Sequence, residues 1–250
     1  MSRRQITNPK TSRKPARPLI AAILPVYNEA GRIGGVLDVL RQVGRLGHII
    51  VVDDGSTDNS SELVRQAGQL DRRVRLIRHA HNQGKGQAVM SGRQATEAPY
   101  LLLLDTDLMG LKPQHILDLI EPAVSDETDM TLGVFRGGKW NTDFSHWLTP
   151  WLSGQRCLHV EVLDSVDKEA AQGYGLETAL TIAARRHGYR VKIVKMIGVW
   201  HPPSEFHRGS WWKGVRWRLH MYEQIIHAWQ VASKGESLRA KQDDSGEAAF

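Results

Sequence analysis

The sequence predicts an α/β domain with a mostly parallel central sheet flanked by helices. Three features lead there: short apolar runs recur between longer amphipathic stretches, the runs are apolar throughout, and each is followed at once by a polar cluster. Alternation of such runs with helical patterns marks βαβ units. A strand that is apolar at every position has both faces covered, as a parallel strand between two helix layers does. In open sheets of this kind ligands bind beyond the carboxyl ends of the strands, so the polar clusters mark the functional edge.

Leu19 to Leu24, Ile49 to Val52, Val74 to Ile77 and Tyr100 to Leu104 read as strands, with helical patterns between them. Their trailing clusters are Tyr27 to Glu29, Asp53 to Ser56, His79 to Lys85 and Asp105 to Asp107. After Pro113 a helix is expected to about Pro122, then a strand from Met130 to Phe135. Gly137 to Ser153, rich in Gly, Trp, Asn and Pro, is expected to form a mobile loop. Tyr174 to His187 has a helical pattern, whereas Arg190 to Lys195 and Gly198 to Trp200 look like strands. Residues 1–17 then form a basic disordered tail, 18–205 the domain, 206–232 an amphipathic helix and 233–250 a second disordered tail.

At 250 residues, 41% hydrophobic and 24% charged, the chain has the composition of a globular domain. Its one cysteine, Cys157, allows neither an intrachain disulfide nor a multi-cysteine zinc site, which suits a reducing compartment. The apolar runs are far shorter than the ~20 residues a membrane-spanning helix needs. No apolar segment follows the basic start as an export signal requires, so a cytoplasmic location is expected. Arg3, Arg4, Lys10, Arg13, Lys14 and Arg17 account for the whole formal charge of +6, which places the basicity in the tail. With no stacking-aromatic or paired Cys/His module, a nucleic-acid partner is not expected.

Chemistry concentrates first at Leu103-Leu104-Asp105-Thr106-Asp107. Two carboxylates at i and i+2 after a buried strand are unfavourable unless a cation or solvent satisfies both. Hard oxygens at this spacing suit Mg²⁺ or Mn²⁺, which can bridge a diphosphate leaving group. A pair that merely caps the next helix is the plainer alternative. A second strand ends likewise in Val51-Val52-Asp53-Asp54-Gly55-Ser56-Thr57-Asp58. There Asp53 or Asp54 can accept hydrogen bonds from a base imide or a ribose hydroxyl, while Asp58 or Thr57 caps the following helix.

Together with Leu24-Pro25-Val26-Tyr27-Asn28-Glu29 and Asn82-Gln83-Gly84-Lys85-Gly86, these clusters resemble family 2 glycosyltransferases in order and spacing. The resemblance is strong from Leu19 to Leu108 and looser to about Pro202. It implies the GT-A fold and a nucleotide-sugar donor, with polyprenyl-phosphate glycosyltransferases and the glucosyl-3-phosphoglycerate synthase type as the nearest kinds. Residue by residue it implies that Pro25, Tyr27 and Glu29 border the nucleoside, that Asp54 with Asp53 recognises it, and that Lys85 reaches the nucleotide or its phosphates. It further implies Asp107 as the direct metal ligand, with Asp105 supporting the metal or ribose and Thr106 at the donor. Gly-Lys-Gly at a helix start is also an ordinary turn.

Later in the chain, Gly173-Tyr174-Gly175-Leu176-Glu177 and His201 resemble the acceptor helix and late metal-binding histidine of the glucosyl-3-phosphoglycerate synthase type. His201 is thus a third candidate ligand, and Glu177 a candidate base or acceptor-hydroxyl partner. The plainer readings are a loop histidine and a carboxylate compensating a helix dipole. Ser153-Gly154-Gln155-Arg156 resembles the acceptor segment of the polyprenyl-phosphate enzymes, which places Gly154 and Arg156 at the acceptor. A surface salt bridge would explain Arg156 equally well. Residues 211–229 carry Trp212, Val215, Leu219, Tyr222, Ile226 and Trp229 at helical spacing, with basic residues around them. Such a helix fits a membrane interface, or packing on the domain or a second subunit.

The expected activity is sugar transfer from a UDP- or GDP-sugar to a polyprenyl phosphate or a small phosphorylated or carboxylic acid, with Mg²⁺ or Mn²⁺. The family resemblance implies inversion, whereas the glucosyl-3-phosphoglycerate synthase type implies retention; inversion is the expectation. The alternatives are a noncatalytic nucleotide-sugar sensor or assembly subunit, and a sugar nucleotidyltransferase. The latter calls for a Gly-rich basic loop after the first strand, where Pro25-Val26-Tyr27-Asn28-Glu29 stands instead. A dinucleotide-binding enzyme lacks its G-x-G-x-x-G at the same place.

Overall fold

The computed structural model describes residues 19–136, 153–166 and 175–201. The expected loop over 137–152, the helix over 206–232 and both tails, 1–17 and 233–250, lie outside the described residues. Seven strands form one sheet: β1 (Ile20–Val26), β2 (His48–Asp53), β3 (Val74–Arg78), β4 (Tyr100–Leu103), β5 (Met130–Arg136), β6 (Arg156–His159) and β7 (Val191–Ile197). They lie in the order β3-β2-β1-β4-β6-β5-β7. The helices are α1 (Ile33–Arg41), α2 (Ser60–Leu70), α3 (Lys85–Gln94), α4 (Pro113–Val124), the short α5 (Val160–Asp164) and α6 (Gly175–Arg186).

The sheet is mostly parallel, as the continuous apolar runs predict; β6 alone runs antiparallel, to both β4 and β5. Alternate residues of β1, β2, β4 and β6 feed two cores. Ile20, Ala22 and Leu24 of β1 pack with Val36, Leu40 and Leu119 on one face. Ala21 and Ile23 pack with Val89, Leu176 and Leu180 on the other. Full burial of an Ile or Leu side chain stabilises the fold by roughly 1.5–3 kcal/mol. Truncating Ile23, buried on the side of α3, would therefore loosen the helix that carries Lys85.

Parallel pairing brings the strand ends into line. Val26 stands opposite Asp53 and Ile23 opposite Leu103, so the clusters after β1, β2 and β4 share one edge. The chain returns there after β7, where Met109 N donates to Trp200 O at 2.9 Å and Trp200 N to Met109 O at 3.1 Å. This isolated bridge is all that forms where a strand over Gly198 to Trp200 was expected, and it sets His201 beside Asp107. Among the described residues, no helix is long and apolar enough to cross a membrane.

Candidate active site

The loops after β1 and β2 are latched to each other. Asn28 adopts φ 56°, a conformation Asn tolerates, and its backbone N donates to Ser56 Oγ at 2.9 Å. Its side-chain oxygen accepts from Thr57 N at 2.9 Å. Asp58 takes hydrogen bonds from Ser60 N and Ala30 N, both at 3.0 Å, a helix-start role consistent with the capping reading. Gly55, at φ 79°, faces the next loop so closely that a Cβ would lie 2.7 Å from the carbonyl carbon of His81. Only glycine fits that turn.

Asp53 and Asp54 are both drawn into hydrogen bonds with the protein itself. Asp53 has no exposed surface; one oxygen accepts from Ser56 N at 2.8 Å and the other from the Ser61 hydroxyl. Asp54 is 3% exposed. Its oxygens accept from His79 Nδ1 at 2.7 Å, Gln83 N at 2.9 Å and Gly84 N at 2.7 Å. His79 Nε2 in turn meets Ser91 Oγ of α3 at 2.9 Å. Both carboxylates are buried and engaged by the protein's own donors. They shape the loop that presents Lys85.

Lys85 opens α3, and its ammonium lies 2.6 Å from Asp105 Oδ1 and 2.6 Å from Glu177 Oε1. Burial opposes its charge, but the two carboxylates outweigh burial and raise its pKa. Asp105 is fixed from the other side by Gln155, whose Nε2 donates to Asp105 Oδ2 at 2.9 Å and whose Oε1 accepts from Asp105 N at 3.0 Å. Burial would raise the pKa of Asp105; Lys85, His201 and Gln155 reverse that and bring it to about 2. Gly154 passes so near that a Cβ would sit 2.6 Å from Asp105 Oδ2 and 2.8 Å from Lys85 Nζ, so a side chain here would displace those two head groups.

Asp107 Oδ1 accepts from His201 Nδ1 at 2.8 Å, and the imidazole meets the edge of Phe135 at a centroid distance of 5.0 Å. Burial lowers the pKa of His201, but the Asp107 contact and the charge of Asp105 carry it above its ordinary value. Asp105, Asp107 and His201 each offer a ligand atom within 4.8 Å of the others. Carboxylate oxygens with one imidazole fit Mg²⁺ or Mn²⁺. Asp107 is paired with His201, whereas Asp105 is held by Lys85 and Gln155.

Of the remaining expected residues, Pro25 lines a small cavity with Lys85, Asp105, Gly154 and Glu177. Tyr27 is 48% exposed at the rim, and Thr106 is buried between the two aspartates. Glu29 pairs with Arg32 at 2.9 Å; burial raises its pKa against that pairing. Glu177 is 7% exposed and engaged by Lys85. Arg156 departs furthest from expectation. It has no exposed surface, and its guanidinium donates to Ser153 O at 2.9 Å, Glu177 O at 3.0 Å and Thr181 Oγ1 at 3.1 Å. Burial pulls its pKa down to about 10. It ties β6 to α6 as a buried cation, not a surface salt bridge, and lines the same small cavity as Pro25 and Lys85. Ser153, expected in a mobile loop, is buried and donates to Gly133 O at 2.5 Å.

Two participants, Gln155 and His79, went unassigned in the sequence. The only signal was position: a polar residue beside Gly154, and a histidine closing a strand whose neighbour ends in Asp53-Asp54.

A sheet whose carboxyl edge gathers paired aspartates, a lysine at a helix start and a late histidine defines a sugar-transfer site of the GT-A kind. The chain belongs to glycosyltransferase family 2, whose family model, Glycosyl transferase family 2, matches residues 21–197. It is a glycosyltransferase. An undecaprenyl-phosphate mannosyltransferase of Micrococcus luteus is 25% identical over 248 residues, covering 89% of this chain and 98% of that protein. A glycosyltransferase of Haemophilus influenzae is 37% identical over 91 residues, and the chain spans only 36% of its length. Glucosyl-3-phosphoglycerate synthase from Mycobacterium tuberculosis, in complex with phosphoglyceric acid, shares the fold with a TM-score of 0.69 at 24% identity over 86% of this chain and 80% of that one. That synthase has also been crystallised with Mn²⁺, UDP-glucose and phosphoglyceric acid, and with Mg²⁺ and UDP.

Proposed function

We propose that this glycosyltransferase moves a sugar from a nucleoside-diphosphate sugar to an acceptor bearing a phosphate or carboxylate, with a divalent cation held by Asp107 and His201 and supported by Asp105. The observation that carries the reading is the convergence of Asp105, Asp107 and His201 within 4.8 Å, beside Lys85, at the edge where the sheet binds ligands. Mg²⁺ or Mn²⁺ bound there supplies charge neutralisation for the departing nucleoside diphosphate. Lys85 brings a positive charge beside the same position, in a partly enclosed site where such a charge acts strongly. Tyr27 and Glu29 border the nucleoside, and Asp54 acts on it through the Gln83–Gly84 amides.

Glu177 is engaged by Lys85, which disfavours it as a general base and suits an acceptor whose oxygen is already anionic. A phosphate oxygen of a polyprenyl phosphate, or of a small phosphorylated acid, meets that requirement. An already anionic acceptor oxygen that attacks the anomeric carbon opposite the departing diphosphate gives inversion without a covalent enzyme intermediate.

The test is release of nucleoside diphosphate across a panel of UDP- and GDP-sugars with Mn²⁺, Mg²⁺ or chelator, for the wild type and Asp107→Ala. Metal-dependent release from one donor is expected, reduced by roughly 10²–10³-fold in the variant, the scale of losing one charge-stabilising group. Binding without release, indifferent to metal, would instead make the chain a nucleotide-sugar sensor.

A further inference from the structure

We propose that Gln155 is a positioning residue of the donor site, through which the segment leading into β6 sets the carboxylate of Asp105. The inference rests on reading the Asp105–Asp107 edge as the donor site. Gln155 is 1% exposed. Its amide does two opposite things for one residue: Oε1 accepts the Asp105 backbone N–H at 3.0 Å, and Nε2 donates to Asp105 Oδ2 at 2.9 Å. Only a primary amide of this length serves both. A carboxylate would set negative charge against Asp105, and an aliphatic side chain would leave a buried N–H without a partner.

The amide is itself held by strand pairing. Gln155 O accepts from Gly133 N of β5 at 2.8 Å, and Gln155 N donates to Ser153 Oγ, which is anchored on Gly133 O at 2.5 Å. The other carboxylate oxygen of Asp105 belongs to Lys85, which also holds Glu177. Lys85 is a long, flexible cation that donor phosphates can draw away; Gln155 is a neutral group held against β5 at the entry to β6. When Lys85 turns to the donor, Gln155 is what keeps the Asp105 carboxylate in its orientation. Gly154, where a Cβ would press on Asp105 and Lys85, lets this segment come close enough for the contact.

Binding of UDP and of GDP in the presence of Mn²⁺ would be measured by calorimetry on the full chain, for wild type, Gln155→Met, Gln155→Glu, Asp105→Ala and Gln155→Met/Asp105→Ala. Gln155→Met should weaken the nucleotide that the wild type binds by about tenfold, the usual scale for removing a partner that orients a ligand. Gln155→Glu, the closest match in shape, should weaken it at least as much. In the Asp105→Ala background, Gln155→Met should change affinity by less than about twofold, because its effect runs through Asp105. A purely structural role would rank Gln155→Glu mildest and would persist without Asp105; either result overturns the proposal. Should a variant fail to fold, Gln155→Asn replaces it, and affinity unchanged from wild type would also overturn the proposal. If the wild type binds neither nucleotide, the donor-site reading falls and this inference with it.

Discussion

The carboxylates that end β2 and those that end β4 flank β1 in the same relation to the sheet, yet they differ in the kind of group that satisfies them. Asp53 and Asp54 accept chiefly from backbone amides, hydroxyls and the imidazole of His79, with the Arg78 guanidinium a further 3.7 Å from Asp53. Most of these donors are fixed to the fold, and both carboxylates are buried. Asp105 and Asp107 instead meet Lys85 and His201, and all four side chains keep between 21% and 33% of their surface. A side-chain partner with access to solvent can be exchanged for a metal ion or a substrate, whereas a backbone amide cannot. On the proposed reading, what separates a bracing from a metal-holding carboxylate is its partners and not its place on the strand.

That contrast predicts opposite outcomes for the same substitution. Asp54→Ala should leave His79 Nδ1, Gln83 N and Gly84 N without their acceptor and destabilise the fold by about 3 kcal/mol, given 1–3 kcal/mol for a buried unsatisfied group and incomplete additivity. At this chain length that is a fall in Tm of about 6–12 °C. Asp107→Ala should lower metal-dependent turnover by roughly 10²–10³-fold while changing stability by less than about 1 kcal/mol, since it loses one partly exposed pair. Thermal unfolding of both variants in chelator checks this, and an Asp107→Ala variant as unstable as Asp54→Ala would break the comparison. A smaller effect isolates one brace: Ser61→Ala removes a single buried hydroxyl donor to Asp53 and should cost about 1 kcal/mol without altering metal dependence.

Much of the frame was legible before the fold was known. The apolar runs located β1, β2, β3, β4 and β5 to within a few residues, because burial on both faces dictates composition directly. The antiparallel β6 was not seen, since Arg-Cys-Leu-His is short and opens with a charge whose partners, Glu177 and Thr181, come from α6. The carboxylate pair of β4 and His201 were found, as Asp-x-Asp spacing and a late histidine are themselves chemical signals. The inward turn of Asp53 and Asp54 was not. It depends on His79, Gln83 and Gly84, which lie 25 to 30 residues from Asp54, and on a loop closed by Gly55 against His81. Adjacent carboxylates before Gly-Ser look the same whether they face a ligand or a protein amide.

Asp71 sharpens the comparison, because it has a cationic partner and no site. Arg73 Nη2 lies 2.7 Å from Asp71 Oδ2, but the same guanidinium also donates to Arg41 O at 2.6 Å and Val43 O at 2.9 Å. Those carbonyls fix the cation to the connection between α1 and β2, so it is no more exchangeable than a backbone amide. Hydrogen bonding to Arg73 lowers the pKa of Asp71 against the opposing effect of burial. A depressed carboxylate contributes stability above its unfolded-state pKa of about 4 and loses it as pH falls through the lower folded value. The Tm difference between wild type and Asp71→Asn should hence be constant near neutral pH and shrink only below about pH 4, by an amount within the modest range of partly exposed pairs. A difference that persists into strong acid would mean that Asp71 acts as a neutral acceptor for Arg73. Exchangeability of the cation would then no longer separate it from Asp105.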